Sequence, residues 1–248
     1  MTPLKWTAAV LAAVAFGLAL PGAAADELDP LKAVAQREAS RGNAGARAML
    51  GLLEGQRDRD TIVSAMNWLQ DAAQRGIPEA QFQLGFQYET APAPDFRRAA
   101  EWYAKAAEQG SVLAMSNLAS MFLFGKGVPR DPKKAFDLSS FAAEKGNAVS
   151  QARLGAMYAA GDGVPQDALR AEYWLEKAAE RGYAEAQSHL GIMLLNGQYG
   201  AEKNVAKGLH WIKTAAARGQ PHAKAALAKA IKDGVPGAAD PLPEPAKK

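Results

Sequence analysis

The stretch "GDGVPQDALRAEYWLEKAAERG", Gly161 to Gly182, decides the fold, because its first seven residues read as a phosphate cradle, a calcium loop or a turn. A near copy, "GKGVPRDPKKAFDLSSFAAEKG", runs from Gly125 to Gly146. As a phosphate cradle the segment lacks the third glycine of G-x-G-x-x-G, lacks G-K-[ST], and gives up one backbone N–H at Pro165. As a calcium loop it lacks the D-x-[DN]-x-[DN]-G spacing and the glutamate six residues on. The copy also replaces Asp162 by Lys126 and Gln166 by Arg130, which a site with fixed ligand chemistry would not tolerate. The segment is therefore read as a turn, repeated because the architecture repeats.

Working outward, "LQDAAQRG", "YAKAAEQG", "SFAAEKG", "LEKAAERG" and "IKTAAARG" close on Gly76, Gly110, Gly146, Gly182 and Gly219, a period of 34 to 37 residues. A second marker, "LG" or "LA", keeps the same period at Leu50, Leu84, Leu118, Leu154, Leu190 and Leu227. Counting back from each closing glycine, alanine stands four residues before (Ala72, Ala106, Ala142, Ala178, Ala215). A large side chain stands eight before (Trp68, Trp102, Leu138, Trp174, Trp211), and a small one eleven before (Ala65, Ala99, Ala135, Ala171, Gly208). These offsets form one helical stripe and predict that the indoles fill the gap beside a closely approaching neighbour. Fifteen before the glycine stand Thr61, Asp95, Asp131, Asp167 and Asn204, all able to accept from the free N–H groups of a helix start. The glycine itself suits the left-handed position past a helix end, and the basic or amide residue before it suits the end of the helix dipole. This is helix B of each unit; helix A carries patterns such as "AQFQLGFQY" and "AQSHLGIML".

Taken together, "AEAQSHLGIMLLNG" and the two G-x-G-V-P segments resemble the Sel1-like repeat family, relatives of the tetratricopeptide repeats, over roughly residues 42 to 233. The resemblance implies an all-α, right-handed α-solenoid of about five helix-turn-helix repeats at 43–76, 77–110, 111–146, 147–182 and 183–219. A partial unit at 220–234 and a lone helix at 26–42 cap the ends, giving twelve helices. The first two units lack G-x-G-V-P, and the third departs with Leu138 for Trp and Ala119 for Gly. Residues 235–248 hold four prolines and are expected to be disordered.

The first 25 residues carry Lys5, an apolar run from Thr7 to Leu20 and small residues at Ala23 and Ala25, the pattern of a signal peptide cleaved before Asp26. The run is shorter than the roughly 20 residues of a spanning helix. The expected location is the periplasm or the outside of the cell, with no membrane insertion after cleavage. There is no cysteine, so disulfides and thiolate metal sites are excluded. A net charge of +3, with basic residues spread along the chain, does not suggest a nucleic-acid partner.

Catalytic motifs are absent: no G-x-S-x-G, H-E-x-x-H, S-x-x-K, S-D-N or K-T-G. His189, His210 and His222 share no helical spacing and read as surface helix residues. No cofactor or metal is expected. The family resemblance implies recognition of a protein partner or extended segment on the helix-A surface, as a scaffold or adaptor, in one version a periplasmic regulator of a membrane signalling protein. The alternative it raises is a penicillin-binding or β-lactamase-like cell-wall enzyme, but the group members associated with that activity are cysteine-rich. Carrying the tetratricopeptide groove pattern across gives Glu79, Phe82, Phe86, Glu89 and Thr90 in unit two, with Leu113, Ser116, Ser120, Leu123 and Phe124 in unit three. Unit four offers Val149, Ala152, Ala156, Ala159 and Ala160. The partner-binding set expected is Glu79, Phe82, Phe86, Glu89, Ser120, Leu123 and Phe124, an apolar floor with acidic flanks.

Overall fold

The structure, a computed structural model, describes residues 25–56 and 58–242, with side chains from Pro30 onward. The expected signal peptide, apart from Ala25, and residues 243–248 lie outside the described residues. Among those described there are twelve α-helices, one short 3-10 turn and no strand. The chain divides between Arg130 and Asp131 into two compact units.

The first unit holds α1 (Ala25–Ser40), α2 (Ala44–Leu53), α3 (Arg59–Gln74), α4 (Pro78–Thr90), α5 (Phe96–Glu108) and α6 (Val112–Phe124). The second holds α7 (Pro132–Glu144), α8 (Ala148–Ala160), α9 (Ala168–Glu180), α10 (Ala184–Asn196), α11 (Val205–Ala217) and α12 (Pro221–Lys232). Within each unit every helix packs on the next in sequence, and α1 also touches α4.

Each helix B stops by the same device. The closing glycines all have φ between 82° and 89°. The N–H after each glycine bonds back to the alanine four residues before it, as in Ile77 N to Ala72 O at 3.1 Å and Gln220 N to Ala215 O at 3.1 Å. The glycine N–H itself reaches the following alanine, which completes a Schellman end. At the other end Asp95, Asp131, Asp167 and Asn204 accept from the backbone three residues on, as expected. The first repeat differs: the cap is Asp58, whose side chain accepts from Thr61 N at 2.8 Å, so α3 is 16 residues long rather than 13.

The G-x-G turn serves two purposes. Gly161 (φ 70°) is the left-handed cap of α8, and Gly163 (φ 79°) lies against the start of α7, where a β-carbon would come within 2.3 Å of Pro132 O. Gly127 meets Phe96 O at the same 2.3 Å in the first unit. The loop glycines thus let one repeat's turn press onto the helix-B start of the repeat before it.

The core corrects one expectation. Of the four indoles assigned to it, only Trp68 is buried; Trp102, Trp174 and Trp211 are half-buried. The buried gap-filler is the next residue, seven before the closing glycine: Leu69, Tyr103, Ser139, Leu175 and Ile212, all 0% exposed. In the second, fourth and fifth repeats the reason is the glycine of the "LG" marker. A β-carbon at Gly85, Gly155 or Gly191 would lie 2.8, 2.7 or 2.7 Å from Tyr103, Leu175 or Ile212, so helix A offers its closest backbone approach to that residue.

Buried glutamines add a tie that the sequence reading did not include. Gln81, Gln151 and Gln187 donate Nε2 to Ala73 O, Ala143 O and Ala179 O at 3.1, 3.1 and 2.9 Å, satisfying carbonyls at the end of the preceding helix B. The segment after Gly234 differs from its expected disorder in its described part. Ala238 is 1% exposed in the last core cluster, and Lys213 donates Nζ to Gly237 O and Asp240 O. The prolines there do not prevent order, because a buried ammonium on α11 engages the carbonyls of the turn.

Candidate partner-binding surface

The expected surface residues come from α4 and α6, both in the first unit. Phe82 and Phe86 sit one turn apart on α4 with ring centroids 6.4 Å apart and planes at 30°. Phe82 also leans on the buried ring of Tyr103 at 5.8 Å, so it is both a surface residue and inter-helix packing. Glu89 is engaged from inside: the Tyr103 hydroxyl donates to it at 2.7 Å, and Asn117 Nδ2 donates to that hydroxyl at 3.0 Å. Burial and then the neighbouring Glu89 charge push the Tyr103 phenol far up, so it stays protonated as a donor. Glu89 therefore couples α4, α5 and α6, and only in part faces outward. Thr90 bonds the Phe86 carbonyl, and Ser116 is buried.

Glu79, Phe82 and Leu113 are brought together in a cleft of about 270 Å³ whose far wall is Pro30 and Leu31 of α1. Phe86, Glu89, Ser120, Leu123 and Phe124 lie outside it. Phe124, at the end of α6, is 64% exposed, and the Leu123 carbonyl accepts from Arg130 Nε at 3.1 Å. Pro78, Val112 and the α1 residues of the cleft were not anticipated. The visible signal was a proline straight after a closing glycine-hydrophobic pair, which starts α4 at its first turn. The α1 wall is a long-range contact with no local signature.

The end of α1 is held by a polar cluster. Glu38 accepts from Trp68 Nε1 at 2.8 Å, Arg75 Nη1 at 2.8 Å and Asn43 Nδ2 at 3.1 Å. Its hydrogen bond with Arg75 lowers its pKa against the opposing effect of burial. Arg75 is the residue before a closing glycine. Arg218 behaves alike, donating to Gly182 O, whereas Gln109 donates to Gln81 of its own repeat at 2.7 Å. In the first and fifth repeats this position therefore ties the repeat to the segment before it, beyond the dipole role expected from sequence.

The histidines do not converge. Burial lowers the pKa of His189, which meets Tyr199 edge-on at 6.1 Å. No group of three or more His, Asp or Glu suited to a metal ion occurs among the described residues. No described helix is long and apolar enough to cross a membrane.

Helical hairpins with this turn chemistry within each unit mark a repeat protein, and comparison with known families places it: the Sel1 repeat matches residues 44–77, 78–111, 112–147, 148–183 and 184–220. The chain belongs to the Sel1 repeat family, all-α proteins of the α-solenoid class. Among solved structures it is similar to a protective antigen of uropathogenic Escherichia coli displaying an SLR fold, with 32% identity and a TM-score of 0.70. That match covers 82% of this chain and 44% of the antigen, so the chain spans under half the antigen's length. A Sel1 repeat protein from Oxalobacter formigenes is 31% identical with a TM-score of 0.65, over 79% of this chain and 78% of that one. Comparison with curated proteins gave no match. Sel1 repeat proteins generally mediate protein–protein interaction and are typically not enzymes.

Proposed function

We propose that this protein is an exported scaffold or adaptor that binds a protein segment on the helix-A face of its repeats, acting in the periplasm as a regulator of a membrane signalling protein. The observation that carries the binding face is the apolar surface of α4 and α6, where Phe86 and Leu123 are only partly covered and Phe124 is 64% exposed. Interaction sites are concentrated where large apolar side chains stay at the surface. Export is supported by the leader-like run from Thr7 to Leu20 followed by Ala23 and Ala25.

Crosslinking in the native periplasm followed by pull-down tests the reading. The expected result is one enriched protein partner, with the intact mass of the recovered chain starting at Asp26. A chain starting at Met1 in the membrane fraction would exclude the location, and recovery without any partner would exclude the scaffold. Fluorescent penicillin should leave the protein unlabelled, since covalent labelling would support the cell-wall enzyme instead.

A further inference from the structure

We infer that the cleft walled by α1 is the anchor of the partner segment, and that it takes an apolar side chain standing next to a lysine or arginine. The inference rests on the partner-binding reading above and adds the place and the chemistry. The cleft's apolar lining comes from Pro30, Leu31, Pro78, Phe82, Val112 and Leu113, so one side chain can be enclosed from three helices. Its volume of about 270 Å³ suits a side chain, since small-molecule sites run roughly 300–1,000 Å³.

The charge of the cleft selects the neighbour of that side chain. Glu79 is the one ionisable residue of the lining, and it makes no hydrogen bond or ion pair with any described residue. Of the other polar side chains in the lining, Gln109 donates to Gln81 Oε1, Ser111 accepts from Ala114 N, and Gln83 is buried and carries no charge. Glu89, by contrast, is held by Tyr103. A partly covered carboxylate beside an apolar wall attracts a cation and repels another carboxylate. The chain as a whole is basic, at +3, so this acidic spot is local and directional.

Fluorescence anisotropy with three labelled ten-residue peptides, alike except for Leu-Lys, Leu-Glu or Ser-Lys at the centre, tests the proposal on the purified protein. The Leu-Lys peptide should bind roughly tenfold tighter than either other peptide, in line with what a buried anchor contributes. Glu79→Gln should weaken Leu-Lys binding roughly fivefold and flatten its salt dependence. Glu79→Lys should reverse the preference towards Leu-Glu, an outcome that loss of folding cannot mimic. An unchanged preference in Glu79→Lys overturns the proposal. So do peptide-induced amide shifts centred on Phe124 in place of Glu79 and Leu113, or failure of all three peptides to bind. In these cases a partner recovered from the periplasm would still stand, whereas failure of that recovery removes the underlying reading.

Discussion

Gly155 of α8 leaves bare backbone against Leu175 of α9: a β-carbon at Gly155 would lie 2.7 Å from Leu175 Cγ and 3.0 Å from Ala171 O. Leu175 is fully buried, while its neighbour Trp174 is half-buried against Tyr173 at 5.1 Å. Leu175→Ala should therefore cost about 2–5 kcal/mol. Trp174→Ala should cost only about 1–2 kcal/mol, because part of its surface already faces water. Gly155→Ala should destabilise by about 1–3 kcal/mol, against the 0.5–1 kcal/mol or so that alanine would gain in an open helix. Urea unfolding of the three variants checks the order; a larger loss for Trp174→Ala would return the indole to the core.

The two glycines of the deciding turn should differ. At Gly161 a β-carbon meets nothing closer than Gln166 Cβ at 3.4 Å, so Gly161→Ala bears only the left-handed backbone cost of about 1–2 kcal/mol. At Gly163 the Pro132 carbonyl stands in the way, so Gly163→Ala should cost clearly more in the same unfolding experiment. Equal losses would mean that the turn does not press on α7.

Ser139 occupies the gap-filling position of the third repeat, fully buried, with its Oγ lacking any hydrogen-bond partner. An unsatisfied buried hydroxyl costs about 1–3 kcal/mol. Ser139→Ala should raise stability by about 1 kcal/mol, read as a higher denaturation midpoint at unchanged slope; a drop would show that the hydroxyl is satisfied in solution.

The Glu38 cluster makes the N-terminal end sensitive to acid. Its folded pKa lies below the ordinary value of 4.5, chiefly through the hydrogen bond from Arg75. The unfolded chain then binds the proton more readily, so the stabilisation is complete above pH 4.5 and is lost as pH falls through the folded value. The melting difference between the protein and Glu38→Gln should be largest near neutral pH and shrink in acid. A difference that grows on acidification would contradict the assignment.

Much of this fold was legible because helix ends are local chemistry. The closing glycines, the Asp and Asn caps, and the alanine four residues before each glycine act within one turn of chain. The cap at Asp58 was missed because "DRD" offers two acceptors ahead of Thr61 and the helix starts a turn early. Trp174 was preferred over Leu175 because one large residue looks like the gap-filler. The choice is in fact made by Gly155 on another helix, although the "LG" marker recorded it. The tie from Arg75 to Glu38 spans 37 residues and has no local trace. The same holds for the cleft: Glu79, Phe82 and Leu113 carry a local helical pattern, but the α1 wall that encloses them does not.

The helix-A face is the proposed binding surface. Photo-crosslinking with benzoylphenylalanine placed singly at Phe86 and Leu123 on helices A, and at Leu169 and Tyr173 on helix B of the fourth repeat, tests it in the native periplasm. Leu169 and Tyr173 are 80% and 52% exposed, so access alone would favour them. Partner capture is expected from Phe86 and Leu123 and none from Leu169 or Tyr173. Capture from the helix-B positions, with the helix-A positions silent, would contradict it.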